Sequence, residues 1–139
     1  MAVKQLSIFI ENKKGQMAEA VKKIADSKIN IRAMSVADSR DFGILRLIVT
    51  DTEKAKELLS EDTLVKVSDV VAVKMEDIEG SLYEILKVLE DASVNVEYSY
   101  SFTAGKTPAP YVVFRVDDVA ASEKLLTDKG FCLISESEI

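Results

Sequence analysis

Leu6, Ile8 and Ile10 alternate with Gln5, Ser7 and Phe9, which is the period of a β-strand. The stretch from Glu11 to Gly15 breaks that period. Met17, Ala20, Val21 and Ile24 then recur at i, i+3, i+4 and i+7, one face of a helix. Ile29, Ile31 and Ala33 alternate around Asn30, Arg32 and Met34 and predict a second strand. Asp38-Ser39-Arg40-Asp41 with Gly43 reads as a turn. The β-branched run Ile44 to Val49 predicts a third strand. Asp51 and Thr52 are N-cap residues for a second helix, with Ala55, Leu58 and Leu59 inward. Val65 to Met75 is a last extended segment.

The order β-α-β-β-α-β then recurs. Leu82, Ile85, Leu86 and Leu89 repeat the first helical face at an offset of 65. Val94, Val96 and Tyr98 alternate around Asn95 and Glu97. Tyr111 to Val116 predicts a strand, Ala120 to Leu126 a helix and Phe131 to Ile134 a closing strand. Matched polarity at matched offsets marks an internal repeat. No Pro, Gly or Ser-rich linker separates the copies, so the division falls in the valine-rich stretch, giving units 1–70 and 71–139. Each βαββαβ unit predicts a ferredoxin-like α+β fold, an antiparallel sheet with two helices on one face and its second strand at an edge. Such an edge leaves backbone groups open to pairing with another edge.

Composition narrows the chemistry. There is no histidine, which excludes Ser-His and Cys-His pairs and imidazole metal ligands. A single cysteine, Cys132, excludes an intrachain disulfide and a thiolate zinc cluster, and its apolar run predicts a small buried hydrophobe. Residues 1–70 carry 12 Lys+Arg against 11 Asp+Glu, and residues 71–139 carry 6 against 13. An acidic chain without a basic stripe is a poor partner for nucleic acid. No apolar run reaches membrane-spanning length and no signal-peptide pattern opens the chain, so a cytoplasmic location is expected.

The candidate chemistry lies in the repeated loops. Gly15 and Gly80 each precede a helix, where glycine permits positive φ or close approach of a bound group. The first N–H groups of the helix have no intrahelical partner and, with the helix dipole, suit a carboxylate. Ser81 with Glu84 fits a capping box. Asn12 or Asp77 at the loop start accepts from an ammonium, and Asn30 and Asn95 offer both donor and acceptor. Each asparagine stands eighteen residues after its loop's first member. Receivers for carboxylate and amine together suit a free amino acid.

These loops resemble those of ACT domains, the amino-acid-binding regulatory modules of aspartokinases, phosphoglycerate dehydrogenase and acetolactate synthase regulatory subunits. The family loop often reads D/N-x-P-G-x-L, and its second strand N-I or N-V. Asn12, Gly15 and Met17 with Asn30-Ile31 match in the first copy; Asp77, Gly80 and Leu82 with Asn95-Val96 match in the second. Lys14 and Glu79 stand where proline is common. The resemblance covers the whole chain and implies a non-catalytic sensor, homodimeric, with no cofactor and no metal. It implies ligand sites at the contact of two units, one joining Asn12, Lys14, Gly15, Gln16 and Met17 with Asn95, the other Asp77, Gly80, Ser81 and Leu82 with Asn30. The output would pass to a partner, such as an enzyme of amino-acid metabolism. The runner-up is a regulatory or scaffolding subunit like that of acetolactate synthase, whose edges dock an enzyme without ligand of its own.

The loops are unequal. Lys13 and Lys14 make the first basic, whereas Glu76, Asp77 and Glu79 make the second acidic. The first is therefore expected to be the better anion receiver. Gly105-Lys106-Thr107 looks like the end of a phosphate loop, but Tyr100 stands where that pattern needs glycine, and Pro108-Ala109-Pro110 follows where it needs helix. Tyr98, Tyr100, Phe102 and Tyr111 cluster by alternation, and without basic neighbours they suit core packing or an interface rather than stacking on RNA.

Overall fold

The computed structural model describes residues 2–104 and 109–139. The Gly105-Lys106-Thr107 reading lies outside the described residues. The elements are β1 (Val3–Glu11), α1 (Gln16–Asp26), β2 (Ile31–Asp38), β3 (Phe42–Val49), α2 (Thr52–Leu59), β4 (Leu64–Lys74), α3 (Ser81–Asp91), β5 (Val96–Ala104), β6 (Ala109–Val116) and α4 (Val119–Asp128). The chain divides into two compact units. One spans Lys4–Ser68, and the other spans Asp69–Ile139 together with the N-terminal residues up to Val3. Strand β4 runs through the division, as the uninterrupted valine-rich stretch suggests.

In the N-terminal unit the strand order is β2-β3-β1-β4, with β2 at the edge. Leu6 opposes Leu47 and Ile8 opposes Leu45 across the antiparallel β1·β3 pair. These residues share one cluster with Ala20 and Ile24 of α1 and Ala55 and Leu59 of α2. Both helices therefore cover one face of the sheet. The C-terminal unit repeats the plan. Its order is β4-β6-β5, with β5 at the edge. Val71, Val73, Val112, Phe114 and Val116 pack with Ile85 and Leu89 of α3 and Leu126 of α4.

Capping chemistry sets the helix starts. Asp51 accepts from the Lys54 N–H at 3.1 Å, and Asp118 accepts from the Ala121 N–H at 3.0 Å; each satisfies a donor that the first turn leaves open. Helices α1 and α3 begin without a side-chain cap, on Gly15 and Gly80. Both end on a non-glycine residue at positive φ, Lys28 and Ser93. The Ile29 N–H then reaches back to the Ile24 carbonyl at 3.2 Å, and the Val94 N–H to that of Leu89 at 2.9 Å. That six-to-one closure turns the chain into β2 and β5.

Five expectations need correction. The Ser81–Glu84 capping box does not form, because Gly80 takes the N-cap and puts Ser81 inside the first turn. Met17 and Leu82, expected on the inner helical faces, are 42% and 41% exposed; burial begins one turn later, at Ala20 and Ile85. Asn30 precedes β2 instead of lying in it, and a bulge between Ile31 and Ala33 shifts the alternation. The expected closing strand is reduced to one bridge, Val73 to Leu133, followed by a short 3-10 turn, Glu136–Glu138. Cys132 is exposed, since the positions packed on the core are its neighbours Phe131 and Leu133.

Candidate functional site

The two glycine turns have matching backbone angles. Gly15 has φ 86° and ψ −10°, and Gly80 has φ 87° and ψ −10°. These are left-handed values that a side chain disfavours. The turn is closed by the Gln16 N–H to the Lys13 carbonyl at 3.2 Å, and by the Ser81 N–H to that of Ile78 at 3.3 Å. The helical ladder starts with the Glu19 N–H to Gly15 and the Glu84 N–H to Gly80, both at 3.0 Å. Between these bonds, the N–H groups of Met17 and Ala18 in one loop, and of Leu82 and Tyr83 in the other, make no hydrogen bond among the described residues. They are the open donors of a helix N-terminus, suited to an anion.

In the N-terminal unit these donors border a cleft of about 330 Å³. Asn12, Gly15, Met17 and Ala18 form one side, and Val36, Asp38 and Gly43 the other, with Ile10 also lining it. Asp38 comes last on β2, opposite Gly43. Glu11 and Lys13 line it as well, so open helical N–H groups, two carboxylates and one ammonium share the space with apolar side chains. The Asn12 amide donates to the Arg40 carbonyl at 3.4 Å, tying the loop to the β2–β3 turn. Lys13 pairs with Glu11 at 2.8 Å. That hydrogen bond, helped by the Glu11 charge, holds Lys13 above the ordinary lysine value.

The remaining predicted residues go elsewhere. Lys14 is exposed. Gln16 faces a second cleft of about 220 Å³, shared with Glu19, Lys23 and Asp62. Ser81 lines the matching cleft of the C-terminal unit, about 380 Å³. Asp77 is exposed, as is Leu82. Asn95 borders a shallow depression with Tyr83, Leu86 and Lys87. Asn30 is exposed, and its backbone is pinned to Thr50 through two contacts of 3.0 Å. It lies at the start of β2, on the order of 25 Å along the strand from Asp38 and its own loop. Asn30 therefore cannot complete the cleft of its own unit.

Sequence reasoning missed Val36 and Asp38. Asp38 read as the opening of a turn, although continuing the alternation through Met34 and Val36 would have reached it. Offset by 65, the C-terminal unit has Ser99, Ser101 and Thr103 at these positions, exposed along β5. The β5 aromatics occupy the other face, where Tyr98 stacks on Tyr100 at 6.5 Å and Phe102 on Tyr111 at 5.5 Å. Among the described residues, no helix is long and apolar enough to cross a membrane.

The family described as ACT domain pair matches residues 1–139. The crystal structure of protein BT0572 from Bacteroides thetaiotaomicron is 36% identical, with a TM-score of 0.90, covering 99% of this chain and 95% of that one. The regulatory subunit of aspartate kinase from Thermus thermophilus, in ligand-free form, is 13% identical, with a TM-score of 0.63 over 91% of this chain and 92% of its own. The aspartokinase III of E. coli, in complex with lysine and aspartate, is 16% identical, with a TM-score of 0.53 over 92% of this chain and 31% of its own. The last two share the fold. No curated protein sequence matches the chain significantly.

Proposed function

The chain belongs to the ACT domain pair family, whose modules are regulatory and non-catalytic, and on that premise we propose that it senses a free amino acid for a partner in amino-acid metabolism. One observation carries the reading: the cleft that gathers Gly15, Met17, Ala18, Val36 and Asp38. The ligand carboxylate takes the open N–H groups of Met17 and Ala18, where the helix dipole favours negative charge. Its ammonium takes the Asp38 carboxylate, in a charge-assisted bond. Its side chain meets Ile10, Val36 and Met17.

The proposal also keeps the family arrangement, in which a loop is completed by the second strand of a neighbouring unit, and the homodimer that the resemblance implies. The remoteness of Asn30 from its own loop supports a role for that residue toward a unit other than its own. The named properties of similar proteins point the same way, since the aspartokinase III structure holds lysine and aspartate.

A docking reading has an observation of its own. Ile78, Leu82 and Tyr83 are 64%, 41% and 65% exposed around the second loop, an apolar face suited to an enzyme partner. A thermal-shift screen of the free amino acids separates the two. A ligand at ~100 times its dissociation constant adds roughly 2.7 kcal/mol, worth several degrees in a domain of this size. A shift with one amino acid or a related few supports sensing. No shift with any of them favours docking and overturns the sensor.

A further inference from the structure

Gly43 lies inside β3, where a glycine weakens the strand because it has no side chain to pack and more freedom to lose. Nothing in the backbone asks for it. Its φ lies outside the left-handed region that Gly15, Gly80 and Gly130 occupy. Nothing in the packing asks for it either. A Cβ built there meets the Ile10 side chain at 3.5 Å and 3.8 Å and the Ala37 carbonyl at 3.9 Å, all ordinary van der Waals contacts. An alanine would fit. What the missing side chain leaves is room in the loop cleft, which Gly43 lines. A glycine inside a strand often marks such a close approach by a ligand.

Gly43 pairs with Ile10 on one side and with Asp38 on the other. Paired residues project to one face of a sheet, and all three line the cleft. The next row is Ile8, Leu45 and Val36, of which Ile8 and Leu45 belong to the core under the helices. The row at Gly43 is therefore a notch at the rim of that core, apolar at Ile10 and acidic at Asp38. The C-terminal unit fills its copy of the notch. Thr103 pairs with Pro110, and the Met75 N–H donates to the Pro110 carbonyl at 2.9 Å. The next row there is Val73, Val112 and Ser101. Pro110 thus stands at the place of Gly43 and puts a ring where Gly43 has no side chain.

We propose, on the amino-acid reading of this cleft, that Gly43 determines its specificity and that the ligand carries an uncharged aliphatic side chain seated over that glycine. In that reading the ligand's ammonium occupies Asp38. The other charged residues lining the cleft, Glu11 and Lys13, pair with each other at 2.8 Å. Neither is left to balance a charge on the ligand's side chain. Ile10 and Val36 flank the notch and Met17 stands across the cleft from it, an apolar enclosure in which an aliphatic chain gains by burial. A methyl group at position 43 would take the space of the ligand's outer carbons.

The test is isothermal titration of the full chain with L-alanine, L-2-aminobutyrate, L-norvaline, L-valine and L-leucine, with L-lysine and L-glutamate as the charged comparison. The series is repeated on Gly43→Ala and Gly43→Val, with Tm measured for each variant. The expected result is tightest binding by an aliphatic ligand longer than alanine, with both charged ligands weaker by roughly tenfold or more. Gly43→Ala should weaken that ligand by roughly tenfold, the effect of one misplaced methyl group. It should change L-alanine little and leave Tm at or above that of the parent. Gly43→Val should abolish binding of the longer ligands. The proposal is overturned if a charged ligand or L-alanine binds tightest, or if the aliphatic ligands give no heat. It is also overturned if Gly43→Ala leaves the affinities unchanged, weakens every ligand equally or lowers Tm. Each of these results leaves the amino-acid reading to the thermal-shift screen, where a blank across all free amino acids removes that reading as well.

Discussion

The two loops share their glycine's backbone angles to within a degree, and the side chains around those glycines share little. Gly15 and Gly80 hold the same left-handed turn, and each leaves two helical N–H groups open among the described residues. Around the first stand Lys13, Lys14 and an edge strand presenting Met34, Val36 and Asp38. Around the second stand Glu76, Asp77, Glu79 and an edge presenting Ser99, Ser101 and Thr103. Backbone geometry leaves helical N–H groups open, and a duplicated chain has that arrangement twice. Side chains decide what else is recognised, and these have diverged. Asp38 lines the cleft beside the first loop and, in the proposed function, takes the ligand's ammonium. The second carries Glu76, Asp77 and Glu79, whose negative charge opposes an anion at the matching N–H groups.

If the two units share one scaffold, matched core positions should respond alike. Leu47 and Phe114 stand at equivalent places on β3 and β6, each 0% exposed. Phe114→Ala should cost about 3–5 kcal/mol and Leu47→Ala about 2–5 kcal/mol in urea denaturation. A cost near zero at either would break the equivalence. The next effect concerns the site. Asp38→Asn should weaken amino-acid binding by about 1.5–3 kcal/mol, the worth of a hydrogen bond to a charged group. Thr103→Val, its counterpart, should leave calorimetric affinity unchanged.

Smaller effects test the shared turn. A Cβ added at Gly15 or Gly80 meets nothing within 4 Å, so Gly15→Ala and Gly80→Ala report backbone strain alone. Each should lower stability by about 1–2 kcal/mol, seen as similar falls in Tm; unequal falls would show that the turns differ in strain. The smallest effect has the opposite sign. Lys28 and Ser93 sit at φ 61° and 58°. Lys28→Gly and Ser93→Gly should each stabilise by up to about 1 kcal/mol, since glycine removes the left-handed penalty. Thermal denaturation of the pair checks whether the duplicated helix ends carry equal strain.

Most of the fold was legible in the residues because it rests on periodicity. Leu6, Ile8 and Ile10 announce a strand, and Ala20, Val21 and Ile24 a helix, and the repeat confirms each element with its copy. Asp51 declares its helix start through cap chemistry alone. The misreadings share one cause, since each depends on where a local pattern stops. Asp38 looked like a turn because Ser39 and Arg40 follow it, yet the strand runs through it and delivers it to the loop. Cys132 looked buried because its run is apolar, yet pairing there is a single bridge and alternation turns it outward. The bulge after Ile31 inserts a residue without any Gly or Pro to signal it. The eighteen-residue spacing from Asn12 to Asn30 was legible, but the distance between Asn30 and its own loop is a property of the sheet, which local spacing does not contain.

The inequality of the two loops can be measured directly. Isothermal titration of the full chain with the amino acid that gives the largest thermal shift counts sites and their affinities together. One dominant site per chain, abolished or strongly weakened by Asp38→Asn, is the predicted result. Two identical, independent sites per chain, or a dominant site indifferent to Asp38→Asn, would contradict it.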